Sequence, residues 1–268
     1  MAGTPRHILI TGAGGGLGSA LAKAYAAPGV FLSLWGRNRE RLETVASACR
    51  AAGAETAIIL QDIRNTAATR EALCSLDASR PLDMAILNAG VSSGTLPNGH
   101  PEPADDACRT MEVNATGAVA MGATLLERMG TRQRGHLVFI ASLAALYPLP
   151  SSPAYSASKA AVACYARAVR LSGVPVRISL VYPGYVETPM SLRLIGPQPF
   201  RWSANKAASH IRARLNAGAN TIVFPKLLSL GTWSLNLLPS PLAAFFAKRF
   251  AFTVEPDAES PLAGKKHD

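Results

Sequence analysis

Metal and sulfur chemistry have little to work with in this sequence. Its four cysteines, Cys49, Cys74, Cys108 and Cys164, stand far apart and form no CxxC pair. That scatter argues against a zinc site, a redox dithiol or a disulfide framework, and it fits a reducing, cytoplasmic compartment. No metal is expected. Also missing is any run of about 18 apolar residues, the length a membrane-spanning helix needs. The apolar stretch at Ile8–Ile10 is too short for a signal peptide, and glycines follow at once. Charged residues make up only 16% of the chain against 49% hydrophobic, so a folded chain is expected, with a loose tail only after Pro256.

Acidic residues are scarce too: 17 Asp and Glu face 27 Lys and Arg, a formal charge of +10. A positive field favours nucleic acid, an anionic membrane surface or anionic ligands. The basic residues are scattered and no nucleic-acid motif surrounds them, so no nucleic-acid partner is expected. A chain of 268 residues suffices for one large α/β domain with its own core.

What is present is an alternation of short apolar segments with longer segments of helical period. His7–Ile10 precedes Leu17–Tyr25, Phe31–Trp35 precedes Arg39–Ala51, and Thr56–Leu60 precedes Thr66–Leu76. The pattern continues through Met84–Leu87, a long helix near Ala104–Met129, Leu137–Ile140, a helix at Ala154–Leu171, Val176–Val181, a helix at Ala204–Asn216 and Thr221–Phe224. Such alternation predicts a single Rossmann-like, doubly wound parallel sheet of about seven strands with helices on both faces. Residues 1–268 then form one dinucleotide-binding catalytic domain, with a substrate loop over 189–218 and an apolar helical extension over 226–253.

The first predicted strand runs into Thr11-Gly-Ala-Gly-Gly-Gly-Leu-Gly18 and then an amphipathic helix. A diphosphate needs close backbone approach and a helix N-terminus at that place. Gly12, Gly14, Gly15, Gly16, Leu17 and Gly18 are therefore expected around a dinucleotide. After the second strand, where an NAD-preferring site places an acid for the ribose hydroxyls, stands Trp35-Gly-Arg-Asn-Arg39. Arg37 offers charge-assisted bonds to a 2′-phosphate, so NADP(H) is expected over NAD(H).

Tyr155 and Lys159 lie four apart at the start of an alanine-rich helix, on one face. A neighbouring ammonium and a cationic nicotinamide favour the tyrosinate, which predicts a lowered pKa and proton exchange with a substrate oxygen. Ser142 ends the preceding strand and is placed to bond a carbonyl and orient the tyrosine. Asn114 sits mid-helix, where an amide is not favoured by propensity.

Over about Arg6 to Pro189 the chain resembles the short-chain dehydrogenase/reductase family. The matches are Thr11-Gly-x-x-x-Gly-x-Gly18, Asp62 after the third strand, Asn88-Ala89-Gly90 after the fourth, Asn114, Ser142, Tyr155-x-x-x-Lys159, and Pro183-Gly184 with Thr188. The resemblance implies a catalytic tetrad of Asn114, Ser142, Tyr155 and Lys159, with Asn114 holding a water in a relay through Lys159. It further implies that Asp62 and Ile63 contact adenine and that Lys159 binds the nicotinamide ribose. Asn88, Ala89, Gly90 and Pro183 would line the cofactor crevice, and Val186 and Thr188 would reach the nicotinamide carboxamide. A homodimer or homotetramer through the long helices is also implied. The competing reading is an inactive dinucleotide sensor or a membrane-surface scaffold.

The substrate is expected to be an apolar, lipid-like carbonyl or alcohol. Met190, Leu192, Leu194, Ile195, Phe200 and Trp202, with Arg193 and Arg201, follow the sixth strand, and Leu143, Leu146, Tyr147 and Leu149 follow Ser142. The predicted helices Leu227–Leu238 and Leu242–Phe252 admit two readings. Lys226, Lys248 and Arg249 beside Trp233, Phe245, Phe246, Phe250 and Phe252 would make a peripheral membrane contact, or the same residues would cover the pocket or a subunit interface.

Overall fold

The computed structural model describes residues 5–248 and 251–256. In chain order the elements are β1 (His7–Thr11), α1 (Gly16–Tyr25), β2 (Phe31–Gly36), α2 (Arg39–Ala51), β3 (Glu55–Leu60), α3 (Thr66–Ser79) and β4 (Met84–Leu87). Then come α4 (Ala104–Met111), α5 (Ala118–Thr131), β5 (His136–Ile140), α6 (Pro153–Leu171), β6 (Arg177–Pro183), β7 (Val186–Glu187), α7 (Pro189–Leu192), β8 (Leu194–Ile195) and β9 (Trp202–Ser203). The chain continues with α8 (Ala204–Asn216), β10 (Thr221–Phe224), α9 (Lys226–Ser234), α10 (Ser240–Lys248) and β11 (Thr253–Val254).

Strands β1, β4 and β5 are buried at every position. Continuous burial of this kind is what a parallel sheet covered on both faces requires. Seven strands form that sheet in the order β10-β6-β5-β4-β1-β2-β3, all parallel. Alternate side chains feed two cores. Ile8 and Ile10 pack with Leu21 of α1, Leu42 of α2 and Ile211 of α8, while Leu9 packs with Leu73 of α3, Met121 of α5 and Val162 of α6. Helix starts are marked by side chains: Asn38 accepts the Arg41 N–H at 2.9 Å, Asn65 accepts that of Ala68 at 3.1 Å, and Pro153 opens α6. The strand order reverses between β1 and β4, which opens a crevice at the carboxyl ends of the strands.

Three expected elements differ. The helix near Ala104–Met129 is interrupted by a π-helical turn at Glu112–Gly117, and Asn114 lies on it. The helix expected at Leu227–Leu238 is α9 followed by a 3₁₀ turn at Leu235–Leu237. The last one ends with α10, and Phe252 belongs to extended chain entering β11, which pairs antiparallel with β8. Arg249, Phe250, the Lys248 side chain and the tail after Pro256 lie outside the described residues. Among the described residues no helix is long and apolar enough to cross a membrane, and no cluster of His, Cys, Asp and Glu is arranged to hold a metal ion.

Candidate active site

Two neighbouring strand ends are locked together at the crevice. The Thr11 hydroxyl accepts the backbone N–H groups of Asn88 and Ala89, each at 2.9 Å, and the Asn88 amide donates to the Thr11 carbonyl at 3.0 Å. The glycine-rich turn therefore leaves β1 from a fixed point. Gly16 has φ +53°, and a Cβ there would press on the Thr188 side chain at 3.0 Å. At Gly18 a Cβ would fall 2.2 Å from the Gly12 carbonyl oxygen, so only glycine lets α1 fold back this tightly. Gly15 opens α1 with no side-chain cap, and no acid stands in the first turn. A Cβ at Gly15 would meet nothing within 4 Å. A bare cradle at a helix N-terminus fits a diphosphate by charge and by space.

The cleft beyond this turn has a volume of about 780 Å³ and is lined by Gly12, Gly15, Gly16, Leu17, Asn88, Ala89 and Gly90 at one end. Ser142, Tyr155, Lys159, Pro183, Val186 and Thr188 follow along it. Ser142 comes two residues after the end of β5, and its hydroxyl accepts the Ala144 N–H at 3.2 Å. Tyr155 and Lys159 occupy the first turns of α6. Burial pushes the Tyr155 pKa up, and a hydrogen bond with the Ser142 side chain only partly opposes this. Burial thus opposes the lowering expected of Tyr155 beside an ammonium and a cationic nicotinamide. The Lys159 ammonium donates to the Ile140 carbonyl at 3.0 Å and lies 5.8 Å from the Tyr155 ring centre. Burial lowers the Lys159 pKa to about 8.

Asn114 is held by the π-helical turn, a local widening frequent at functional positions. Its Oδ1 accepts the Val91 N–H at 2.8 Å, and its Nδ2 donates to the Val91 carbonyl at 2.9 Å and to Ser158 Oγ at 3.0 Å. The side chain thus clamps the loop after β4 onto α6. A Cβ on Gly90 would sit 3.1 Å from Asn114 Oδ1 and 3.4 Å from Lys159 Nζ, so these three residues meet at one point.

Several adenine-end residues stand outside the cleft lining. Gly14 backs onto Arg41, and Gly18 onto Asn88. Ile63 is buried, and a Cβ on Gly117 would press on it at 2.9 Å. Asp62 binds Arg64 through Nε at 2.9 Å and Nη2 at 2.6 Å, with Arg37 at 4.0 Å. Burial would raise the Asp62 carboxyl pKa, but the bonds to Arg64 and the nearby Arg37 outweigh it and hold it below its usual value.

At the far end the walls are apolar: Leu143, Tyr147, Met190, Phe200, Leu228 and Phe246 all line the cleft. Leu149 and Leu194 do so as expected. Leu192 and Ile195 are exposed instead, and Trp202 stacks on Phe224 at 4.8 Å outside the lining. The C-terminal extension closes this end with one of its faces.

A family model described as short chain dehydrogenase matches residues 6–195. The chain belongs to the short-chain dehydrogenase family. An uncharacterized oxidoreductase of Myxococcus xanthus is 34% identical over 247 residues, 91% of this chain and 97% of that one. The NADP-dependent 3-hydroxy acid dehydrogenase YdfG of Salmonella typhi is 32% identical over 182 residues, 67% of this chain and 72% of that one. A short-chain dehydrogenase from Sphingobium yanoikuyae in complex with NADPH superposes with a TM-score of 0.74 at 20% identity, covering 89% of this chain and 95% of that one. An NAD+-bound xylitol dehydrogenase is similar at a TM-score of 0.71, 24% identity, 82% of this chain and 97% of that one. These two likenesses show the fold and leave the choice of dinucleotide to the residues. As a family member the protein is an oxidoreductase that uses a dinucleotide cofactor on a small-molecule substrate.

In this dehydrogenase three site residues escape sequence reasoning. Arg41, on the first turn of α2, lines the cleft, and a Cβ on Gly14 would meet its side chain at 3.3 Å; its place just after Arg37 and Arg39 was the available signal. Tyr185 lines the cleft next to Tyr155, and its pKa is pushed up to about 12 by burial first and by Tyr155 second. Glu102 accepts the Ala154 N–H at 3.0 Å at the start of α6 and also accepts the Ser93 hydroxyl. A carboxylate there favours the helix N-terminus and seats the helix that carries Tyr155. Nothing in Pro101-Glu-Pro103 signals a contact 52 residues further along the chain.

Proposed function

We propose that this dehydrogenase reduces an apolar, lipid-like carbonyl with NADP(H), and that Tyr155 donates the proton. One observation carries the reading: Ser142, Tyr155 and Lys159 lie on the wall of a single cleft, between a bare glycine cradle and an apolar end. A bound nicotinamide supplies the hydride. The raised pKa keeps Tyr155 a neutral phenol near pH 7, in the form that gives a proton to the carbonyl oxygen as the carbon is reduced. Ser142 shares that oxygen and orients the phenol. Lys159, its ammonium held on the Ile140 carbonyl at the wall of the same cleft, binds the nicotinamide ribose. Asn114 acts by positioning, since its side chain is engaged by Val91 and Ser158.

NADP(H) is supported by the missing acid after β2, by Arg41 on the wall of the cleft, and by Arg37, which follows β2 outside the cleft lining and lies 4.0 Å from Asp62. Self-association is proposed through the outer face of α6, where Ala157, Ala160, Cys164 and Ala168 are exposed and small enough for another helix to approach closely. The test of the cofactor reading is titration with NADPH and NADH. Wild type should bind NADPH more tightly, and Arg37→Ala and Arg41→Ala should erase the preference; equal or tighter NADH binding by wild type overturns it. Tyr155→Phe should lower NADPH oxidation with apolar ketones by about 10²–10⁴-fold while leaving NADPH binding intact.

A further inference from the structure

The C-terminal extension has an outer face that the cleft does not use. Leu230, Trp233 and Leu237 follow one stripe of α9 and its succeeding turn, with exposures of 63%, 53% and 68%. Phe245 of α10 is exposed as well, with its ring 5.6 Å from that of Phe246. Single exposed apolar residues are ordinary on a protein surface, whereas a run of them on consecutive elements marks a contact. The run is continuous with the cleft, because Leu227 and Phe246 are both exposed and both line it.

Charge decides what the contact is. Between Glu187 and Glu255 there is not one Asp or Glu, and of the eight Lys and Arg in that stretch Lys226, Lys248 and Arg249 belong to the sequence of the extension itself. A two-fold contact with a second copy would set α9 and α10 against themselves, with no carboxylate on either helix to answer the charge. Anionic headgroups over hydrocarbon answer both the charge and the apolar stripe. Lys226 stands exposed at the start of α9, next to Leu227, and Trp233 is the residue type that favours a membrane interface.

We propose that the outer face of α9 and α10 docks on an anionic lipid bilayer, with the mouth of the cleft turned to the membrane. The docking stands apart from the cofactor assignment; only the inference that substrate enters from the bilayer rests on the proposed reduction of an apolar carbonyl. The full chain, without substrate, should co-sediment with phosphatidylcholine vesicles that contain phosphatidylglycerol, and much less with phosphatidylcholine alone. Leu230→Glu combined with Trp233→Glu should weaken partition by at least about tenfold. Lys226→Gln should weaken it by roughly fivefold, and salt should do the same. NADPH binding by each variant, followed separately, reports an intact fold. The proposal falls if wild type stays in the supernatant with both vesicle types or sediments equally with both. It falls also if the double variant sediments like wild type, or if sedimentation velocity shows that the double variant breaks up an oligomer, which would make this face a contact between copies.

Discussion

A single methyl group measures how tightly the cradle is built. In Gly18→Ala the new Cβ would lie 2.2 Å from the Gly12 carbonyl oxygen and 2.7 Å from Asn88 Nδ2, so α1 must move away from β1. Loss of dinucleotide binding is expected, with about 1–3 kcal/mol lost from stability, read by NADPH fluorescence titration and urea unfolding. Another residue-scale consequence concerns acid. His136 is buried with Nε2 2.9 Å from Ser179 Oγ, and burial, helped by Arg177, lowers its pKa to about 3. Its unfolded form binds a proton near pH 6.5, so between those values the unfolded state holds more protons. The stability from keeping His136 neutral is complete above pH 6.5 and is lost as pH falls toward 3. About 3 kcal/mol should be gone by pH 4, and His136→Gln should flatten that part of the urea-midpoint curve. His7, 2.8 Å from Ser33 Oγ and also shifted down by burial, acts in the same direction.

Among the elements, α3 and α5 are joined by one buried acid. The Asp77 side chain is fully buried and binds Arg132 at 2.6 and 2.9 Å, Arg128 at 3.0 Å and the Leu82 N–H at 3.0 Å. Burial alone would raise its pKa, but Arg132 and its other partners reverse the sign and lower it. Asp77→Ala should cost about 3 kcal/mol in urea unfolding, the low end for a broken buried pair because both arginines are partly exposed. The site should be spared, since this cluster meets β4 at the end opposite the cleft. The seating of α6 is different: Glu102→Ala removes the acceptor at Ala154 and should lower kcat while NADPH affinity holds, restored in part by Glu102→Gln. Helices and strands were readable because periods of two and 3.6 separate cleanly. The π-helical turn was not, because its apolar positions continue those of α4 and α5, and only the out-of-place Asn114 hinted at it.

For the molecule as a whole, a dinucleotide bound only by the folded state shifts the unfolding equilibrium. At one hundred times its Kd NADPH should add about 2.7 kcal/mol, which for a chain of this size raises Tm by roughly 5–10 °C. Arg41→Ala should abolish most of that gain at the same concentration while unfolding at the wild-type temperature without cofactor. Equal gains from NADH and NADPH would sink the NADP(H) assignment.

The parallel sheet, the glycine turn and the chain order of Asn114, Ser142, Tyr155 and Lys159 are legible in the residues alone, because they depend on local period, backbone clearance and spacing along the chain. Only the tertiary structure decided where charges and loops end. Lys159 turns to Ile140, and burial raises the Tyr155 pKa; Asp62 closes on Arg64, and Arg41 takes the place beside the cradle. The C-terminal helices likewise split into an inner face that lines the cleft and an outer face left exposed. Periodicity says that a helix has an apolar face, but what meets that face is set by packing between segments far apart in the chain.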